Sequence, residues 1–199
     1  MNTKNKVLSL SLCAAFGAAF VLSSAVLPSV PAVFAETNSL QTAIDGAQSG
    51  ETVKLTENCA EAVTVAEDDN IVLDLNGFEI SATLTNNGTL KIVDSVETGA
   101  FRLTSNTSGV VSAIVNNGDL TFDGAVVEVT GTGNRTDIRG ITNNSGATVS
   151  FLSGDISVIS SGGYFGNAIF NAAGGTVEEI SGGTLSAQIS NTNVKLNSV

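Results

Sequence analysis

The sequence predicts an all-β fold, a parallel β-helix in which short strands stack coil upon coil. After residue 50, short β-branched runs alternate with Gly, Asn, Ser and Asp, a pattern typical of strands bounded by turns. Helical periodicity stops at the same point. The runs also recur with a period a little under thirty residues, which indicates a repeat architecture.

Two columns of turn residues define the repeat. Turns that contain Asn86, Asn116, Asn143 and Asn171 follow one another at nearly constant steps. A second column, which runs from Ser95 through Gly124 and Gly154 to Gly182, keeps nearly the same step. An all-β unit of this length cannot bury its own apolar face, whereas stacked units can. The sequence therefore predicts a solenoid of about five rungs.

The recurring asparagines suggest a ladder along one corner of the solenoid. An Asn at the same turn of successive rungs can adopt left-handed geometry and bond to its neighbours along the stack. We therefore predict a structural ladder made of Asn86, Asn116, Asn143 and Asn171, with ligand binding as the alternative role of this column.

Residues 36–50 contain the one helical pattern after the leader. Asn38 is predicted to cap a helix over residues 38–48, with Gln41 at the capping-box position. The helix is expected to cover the N-terminal end of the solenoid, where unpaired strand edges would otherwise favour aggregation. Its predicted apolar face consists of Leu40, Ala43, Ile44 and Ala47.

Residues 1–35 have the features of a secretory signal peptide. Two lysines precede an apolar stretch, and small residues lead to a predicted cleavage between Ala35 and Glu36. A transmembrane anchor is the alternative, because the apolar stretch approaches the length of a membrane span. Pro28 and Pro31 interrupt it just before the cleavage site, which favours export and a secreted or cell-surface location.

Composition excludes several function classes. The leader holds two of the eight basic residues and none of the nineteen acidic ones, so residues 36–199 carry a formal charge of −13 (6 − 19). Such a charge repels nucleic acid and anionic membranes as partners. The chain has no His and no Trp. Cys59 is the one cysteine after the leader and is predicted to be a small buried side chain.

The start of the mature chain resembles a known family. Residues 38–187, including Ile71–Gly77 and the later Ser181–Thr184 motif, are similar to pectate-lyase-like right-handed β-helix proteins of Gram-positive and gut bacteria. The resemblance implies extracellular exposure and long β-helical stalks, with adhesive or carbohydrate-related roles.

One charged cluster contains candidates for catalysis. A calcium-dependent polysaccharide lyase uses a base, often Arg or Lys, with calcium to acidify the substrate proton. Arg135 or Arg139 is the candidate base and Asp137 a candidate calcium ligand, in a predicted loop. Asp68 and Asp69 are further metal candidates in an acidic run. An exposed loop ion pair and a solvated turn are the structural interpretations.

Glycoside hydrolysis requires a pair of facing carboxylates, and the sequence contains one candidate pair. Asp94 and Asp123 share the second column and are predicted to lie one rung apart. The same column continues as Ser153 and Ser181, so we interpret it as a turn position for small polar residues.

The sequence thus predicts a leader (1–35), a capping helix (36–50) and a β-helix domain (51–199) without a recognisable C-terminal cap. We expect a non-enzymatic, adhesin-like surface module, with glycans or other surface proteins as partners and self-association through the C-terminal rung. No cofactor is expected for this function. The alternative is a calcium-dependent polysaccharide lyase or a related carbohydrate-active enzyme.

Overall fold

The computed structural model describes residues 32–33, 39–133, 136–161 and 165–189. Strands dominate, and one short helix, α1 (Leu40–Gly46), precedes most of them. Every strand pair within the described residues is parallel. The chain is therefore a parallel β-solenoid, and the fold class predicted from its repeats is confirmed.

The strands form three faces. Face 1 stacks β1 (Ala32–Val33), β2 (Glu51–Lys54), β4 (Asn70–Asp74), β7 (Thr89–Val93), the first halves of β10 (Asp119–Gly131) and β12 (Thr148–Ser160), and β14 (Thr176–Ile180). Face 2 stacks β5 (Glu79–Ile80), β8 (Ala100–Ser105), the second halves of β10 and β12, and β15 (Thr184–Ile189). Face 3 stacks β3 (Val63–Val65), β6 (Leu84–Asn86), β9 (Gly109–Asn116), β11 (Thr136–Asn143) and β13 (Gly166–Asn171).

Coil length differs along the solenoid. On face 1, Thr89 pairs with Asp119, Asp119 with Thr148 and Thr148 with Thr176, so the length of each of these coils matches the period of the sequence repeat. The coil before them is clearly shorter, because Asn70 already pairs with Thr89. The period read from the sequence thus describes the later coils, and the first coils have shorter connections.

The core is built from columns of inward side chains. In one column Leu73, Ile92, Phe122 and Phe151 occupy successive coils, and all four are fully buried. The Phe122 and Phe151 rings stack with centroids 5.5 Å apart and planes 11° from parallel. Each such side chain stabilises the fold by roughly 1.5–3 kcal/mol through burial. Because these columns fix the register, they also fix which side chains face outward.

Helix α1 packs on the first coil, as its apolar spacing predicted. Leu40 and Ile44 are buried, and Ala43 and Ala47 pack against the same core. The N-cap is Ser39, whose Oγ accepts from the Thr42 amide. The cap predicted at Asn38 lies outside the described residues.

Two residues of the predicted leader belong to face 1 in the uncleaved chain. Ala32 and Val33 form β1, which pairs with Val53 and Lys54 of β2. The predicted cleavage point, between Ala35 and Glu36, lies outside the described residues. Among the described residues, no helix has both the length and the apolar character needed to cross a membrane.

Candidate functional site

The four predicted ladder asparagines lie in one column at the end of face 3. The Nδ2 of Asn86 donates to the Oδ1 of Asn116 at 2.8 Å. Asn116 donates to Asn143, and Asn143 to Asn171, both at 2.7 Å. Asn86, Asn116 and Asn143 are fully buried, whereas Asn171 is exposed. Since the amides bond to one another and to backbone carbonyls, this column holds the coils together.

The backbone of the ladder differs from the prediction. Among the described residues, the non-glycine positions with positive φ are Asn76 and Glu97, so the ladder asparagines are not left-handed. A steric restriction falls on Gly118, two residues after Asn116. A Cβ on Gly118 would overlap the carbonyl oxygen of Gly88, and the close approach of successive coils therefore requires glycine there.

A second, outer ladder runs beside the first. Asn117 donates to the Oδ1 of Asn87 at 2.8 Å and accepts from the Nδ2 of Asn144 at 2.6 Å. Asn117 is exposed, and its two partners are half-buried. The sequence contains this signal, because an Asn-Asn pair recurs in these three turns, although the prediction used the inner member alone.

The charged pair of residues 137 and 139 lies in a strand and not in a loop. Asp137 and Arg139 belong to β11, where alternate residues point to the same side of the sheet. Both side chains therefore lie together on the outer surface of face 3. The Asp137 Oδ2 accepts from the Nη2 of Arg139 at 2.6 Å and from its Nε at 3.2 Å. The prediction of an exposed loop ion pair was wrong on two points. The pair lies in a strand, and only 13% of the Arg139 side chain is exposed.

Neighbouring coils hold both members of this pair. The Arg139 Cζ lies 3.6 Å from the centre of the Phe170 ring, within the range of a cation–π contact. Asn167 donates to the Oδ1 of Asp137 at 3.4 Å. The Arg139 guanidinium is thus held between Asp137 and the Phe170 ring. Arg135 lies outside the described residues.

Exposed apolar side chains flank the same pair. Asp137 is paired with Val110 of the preceding coil, and the Ile138 amide donates to the carbonyl of Phe165 in the following coil. Val110 is 60% exposed and Phe165 is 66% exposed. We call the group of Val110, Asp137, Arg139, Phe165, Asn167 and Phe170 the face 3 patch. It combines an exposed ring and apolar surface with fixed donors and acceptors, a combination that marks interaction sites.

The acidic run lies in a turn. Residues 67 and 68 form the turn between β3 and β4, where Asp68 is exposed. The Asp69 Oδ2 accepts from the Ala66 amide at 3.1 Å, which is a local turn contact. Within the described part of the chain, no three His, Cys, Asp or Glu side chains converge in an arrangement suited to a metal ion. Asp68, Asp69 and Asp137 are thus not brought together.

The two carboxylates of the second column do not face each other. Asp123 pairs with Val93 and not with Asp94, so the predicted alignment was one residue out of register. Asp94 is buried and accepts from the amides of Gly77 at 2.7 Å and Gly99 at 2.5 Å. The carboxylate of Asp94 therefore organises two turns. This geometry does not provide the facing pair that glycoside hydrolysis requires.

Two other aspartates of face 1 are stabilised in their charged form. For Asp74, burial acts to raise the pKa, but hydrogen bonds from Ser95, Asn76 and Lys54 outweigh it and lower the pKa. For Asp123, the hydrogen bond from Lys91 lowers the pKa, and Ser153 adds to this effect. The Lys91 Nζ lies 2.9 Å from the Asp123 Oδ2.

A cleft of about 250 Å³ opens between the start of α1 and residues 55–61. Cys59 lies in this cleft, half-buried, with its thiol 3.7 Å from the carbonyl of Glu61. Burial raises the pKa of the thiol, and the charges of Glu61 and Glu57 raise it further. Because the reactive form of cysteine is the thiolate, this environment makes Cys59 a poor nucleophile.

The sequence analysis did not identify two residues of the face 3 patch. Phe170 and Asn167 complete the face 3 patch, although both lie about one repeat beyond Arg139. Aligning the repeats places Phe170 one coil after Thr142, which would have identified the neighbouring coil. The stacking itself depends on the direction of the Arg139 side chain, which periodicity does not encode.

Comparisons with known proteins give no relative. No family model matches the chain, no curated protein matches it, and no solved structure matches it.

Proposed function

We propose that this chain is an exported, non-enzymatic surface module of a bacterium, built on a pectate-lyase-like β-helix and adhesin-like in action. The signal-peptide pattern of residues 1–35 and the acidity of residues 36–199 support an extracellular setting. The parallel β-solenoid supports a role as an extended scaffold whose function is spread over a sheet face.

The face 3 patch is the proposed binding surface for glycans. A sugar ring has an apolar face that packs on an aromatic ring and hydroxyls that bond to polar side chains. Phe165 supplies the exposed ring, and Arg139, Asp137 and Asn167 supply fixed polar groups beside it. The exposure of Phe165 beside this polar cluster is the observation that carries the proposal.

Charge narrows the class of glycan. A formal charge of −13 on residues 36–199 repels polyanions at long range. The one cation described in the patch, Arg139, is already paired with Asp137. The patch therefore favours neutral or amino-sugar glycans over polyuronates.

The restraint on Arg139 also argues against the lyase alternative. A lyase base must reach the proton next to the substrate carboxylate. Here the guanidinium is held by Asp137 on one side and by the Phe170 ring on the other. No observation at the patch favours proton abstraction over binding.

Self-association through the C-terminal rung is the second element of the proposal. Ile169, Ile180 and Leu185 in the last described coil pack on the core while remaining partly exposed, and Val177 is exposed. Such an apolar end normally receives a cap or a partner.

Binding to immobilised polysaccharides tests the glycan proposal. We expect retention on neutral or amino-sugar polymers, and a loss of affinity of about two- to tenfold in Phe165→Ala, because an aromatic contact contributes about 0.5–1.5 kcal/mol. Ile159→Ala is the matched control, since Ile159 is an exposed apolar residue on face 2.

Two outcomes would contradict the proposal. Equal losses in the Phe165→Ala and Ile159→Ala variants would remove the patch from recognition. Release of unsaturated products from polygalacturonate with calcium, abolished by Arg139→Ala, would establish the lyase instead.

A further inference from the structure

At the N-terminal end of the solenoid, the edge strand of face 3 is β3, and the side chain of Gln41 bonds to its backbone. The Gln41 Oε1 accepts from the Thr64 amide at 2.7 Å, and its Nε2 donates to the Thr64 carbonyl at 2.9 Å. Gln41 was predicted to serve a capping box within α1, and the structure shows instead that its amide replaces a neighbouring strand at β3. Edge backbone groups that are satisfied in this way no longer recruit another strand.

The corresponding edge of face 1 is closed differently. β1 covers β2 there, with Ala32 beside Val53 and Val33 beside Lys54. Both covering residues belong to the predicted leader. Cleavage after Ala35 would remove this strand and leave the outer edge of β2 without it. An uncovered strand edge is a template for strand addition.

We propose that β2 is a strand-addition site, filled in the processed protein by the C-terminal segment 190–199 of a second copy. This inference rests on the proposed export and deepens the proposed self-association by naming both surfaces. The segment contains Asn193-Val194-Lys195-Leu196, which matches Thr52-Val53-Lys54-Leu55 at three of four positions. In the β2 sequence, Val53 and Leu55 are buried while Lys54 is partly exposed, and Val194 and Leu196 offer the same alternation.

A second copy is required because the segment is too short to return to its own β2. Five strand steps separate β14 from β2 on face 1, or about 24 Å at about 4.8 Å a step. The connection from Ile189 to Val194 spans at most about 18 Å when fully extended. Addition of a single segment also leaves α1 in place, whereas coaxial stacking of two solenoids would displace it from β3.

The core column of face 1 suggests a register. Ala32 now lies beside Val53, whose side chain is fully buried. Leu196 in that position would point its side chain into the column that Val53 occupies and would bury apolar surface there. Lys195 would then lie directly beside Thr52, and Lys54 lies two residues further along the same face, so that the two ammonium groups are not placed directly opposite each other.

Disulfide trapping tests the site on a chain that begins at residue 36. That chain should fold without the leader, since every member of the buried core lies between Leu40 and Val158. In a Cys59→Ser background, a Thr52→Cys protein is mixed with a Lys195→Cys protein and oxidised. Neighbouring strands lie at a distance that a disulfide can bridge, so we expect a cross-linked dimer.

Thr64→Cys replaces Thr52→Cys in the matched control. Thr64 is an exposed threonine at the same end of the solenoid, on the edge that Gln41 closes. We expect cross-linking at least fivefold slower there. Equal rates at the two positions would overturn the proposal.

Sedimentation supplies a second measurement that does not depend on the register. Residues 36–199 should associate as concentration rises, and Leu196→Asp should abolish this, whereas the equally charged Asn193→Asp should retain most of it. A monomer at every concentration, or equal association of the two variants, would overturn the proposal. The mass of the exported protein tests the cleavage of the leader separately from strand addition at β2. A retained leader would contradict the proposed export without altering the result for residues 36–199.

Discussion

The two asparagine ladders are nearly identical in geometry and opposite in environment. In the inner ladder, Asn116 bonds to Asn86 and Asn143 at 2.8 and 2.7 Å. In the outer ladder, the next residue, Asn117, bonds to two other asparagines at 2.8 and 2.6 Å. Asn116 is fully buried and Asn117 is exposed. Distance alone therefore does not determine which ladder stabilises the fold.

Access of water makes the difference. When an exposed partner is removed, water replaces the lost hydrogen bond, so the net cost is small. When a buried partner is removed, the remaining donors and acceptors lose a bond that nothing restores. The Asn116 amide also donates to the carbonyls of Gly118 and Thr148, so one side chain serves two turns. The inner surface of the solenoid should accordingly tolerate substitution much less than the outer surface.

Phe122→Ala should give the largest effect. Phe122 is fully buried and stacked on Phe151, so truncation removes buried area and leaves a cavity between coils. The free energy of unfolding should fall by about 3–5 kcal/mol, measured by denaturant titration. Phe165→Ala on the outer surface should change it by less than about 0.5 kcal/mol. Similar losses at the two positions would contradict the distinction between inside and outside.

Asn116→Ala and Asn117→Ala compare the ladders directly. We expect Asn116→Ala to lower the free energy of unfolding by about 1–3 kcal/mol, because its buried partners are left unsatisfied. Asn117→Ala should lower the free energy of unfolding by only a few tenths of the Asn116→Ala loss. Equal effects would mean that the ladder bonds stabilise the coils independently of burial.

The repeat could be predicted because every later coil must place the same chemistry at the same corner. Asn86, Asn116 and Asn143 recur at nearly constant steps, and that spacing predicted which side chains meet. The first coils are shorter and have no asparagine of this column before Asn86, so spacing carried no signal there. Register at the second column was also missed, since Asp94 turns into its own loop and Asp123 continues a strand.

The sites formed between distant residues were beyond the sequence pattern. Gln41 meets Thr64 because α1 packs on β3, and no local motif links a helix residue to a strand in the next part of the chain. Arg139 was identified as a chemically capable residue, but its stacking on Phe170 depends on side-chain direction across coils. Spacing identifies which coil is the neighbour, whereas packing decides what the neighbouring side chains do.

Asp123→Asn should give a small effect, and one that depends on pH. Lys91 and Ser153 lower the pKa of Asp123 in the folded state. The charged form therefore stabilises the fold at pH values above the unfolded pKa of about 3.9, and this contribution is lost as pH falls through the folded pKa. Because the carboxylate lies on the outer surface, about a third exposed, the loss in the free energy of unfolding of Asp123→Asn at neutral pH should be below about 1 kcal/mol.

Denaturant titrations of Asp123→Asn and the unsubstituted protein at neutral and strongly acidic pH should show this difference shrinking towards zero. High salt should also reduce it, while leaving the Asn116→Ala effect unchanged, because the inner ladder contains no charge for salt to screen. A difference that persisted in acid would mean that Asp123 acts through the geometry of its turn and not through its charge.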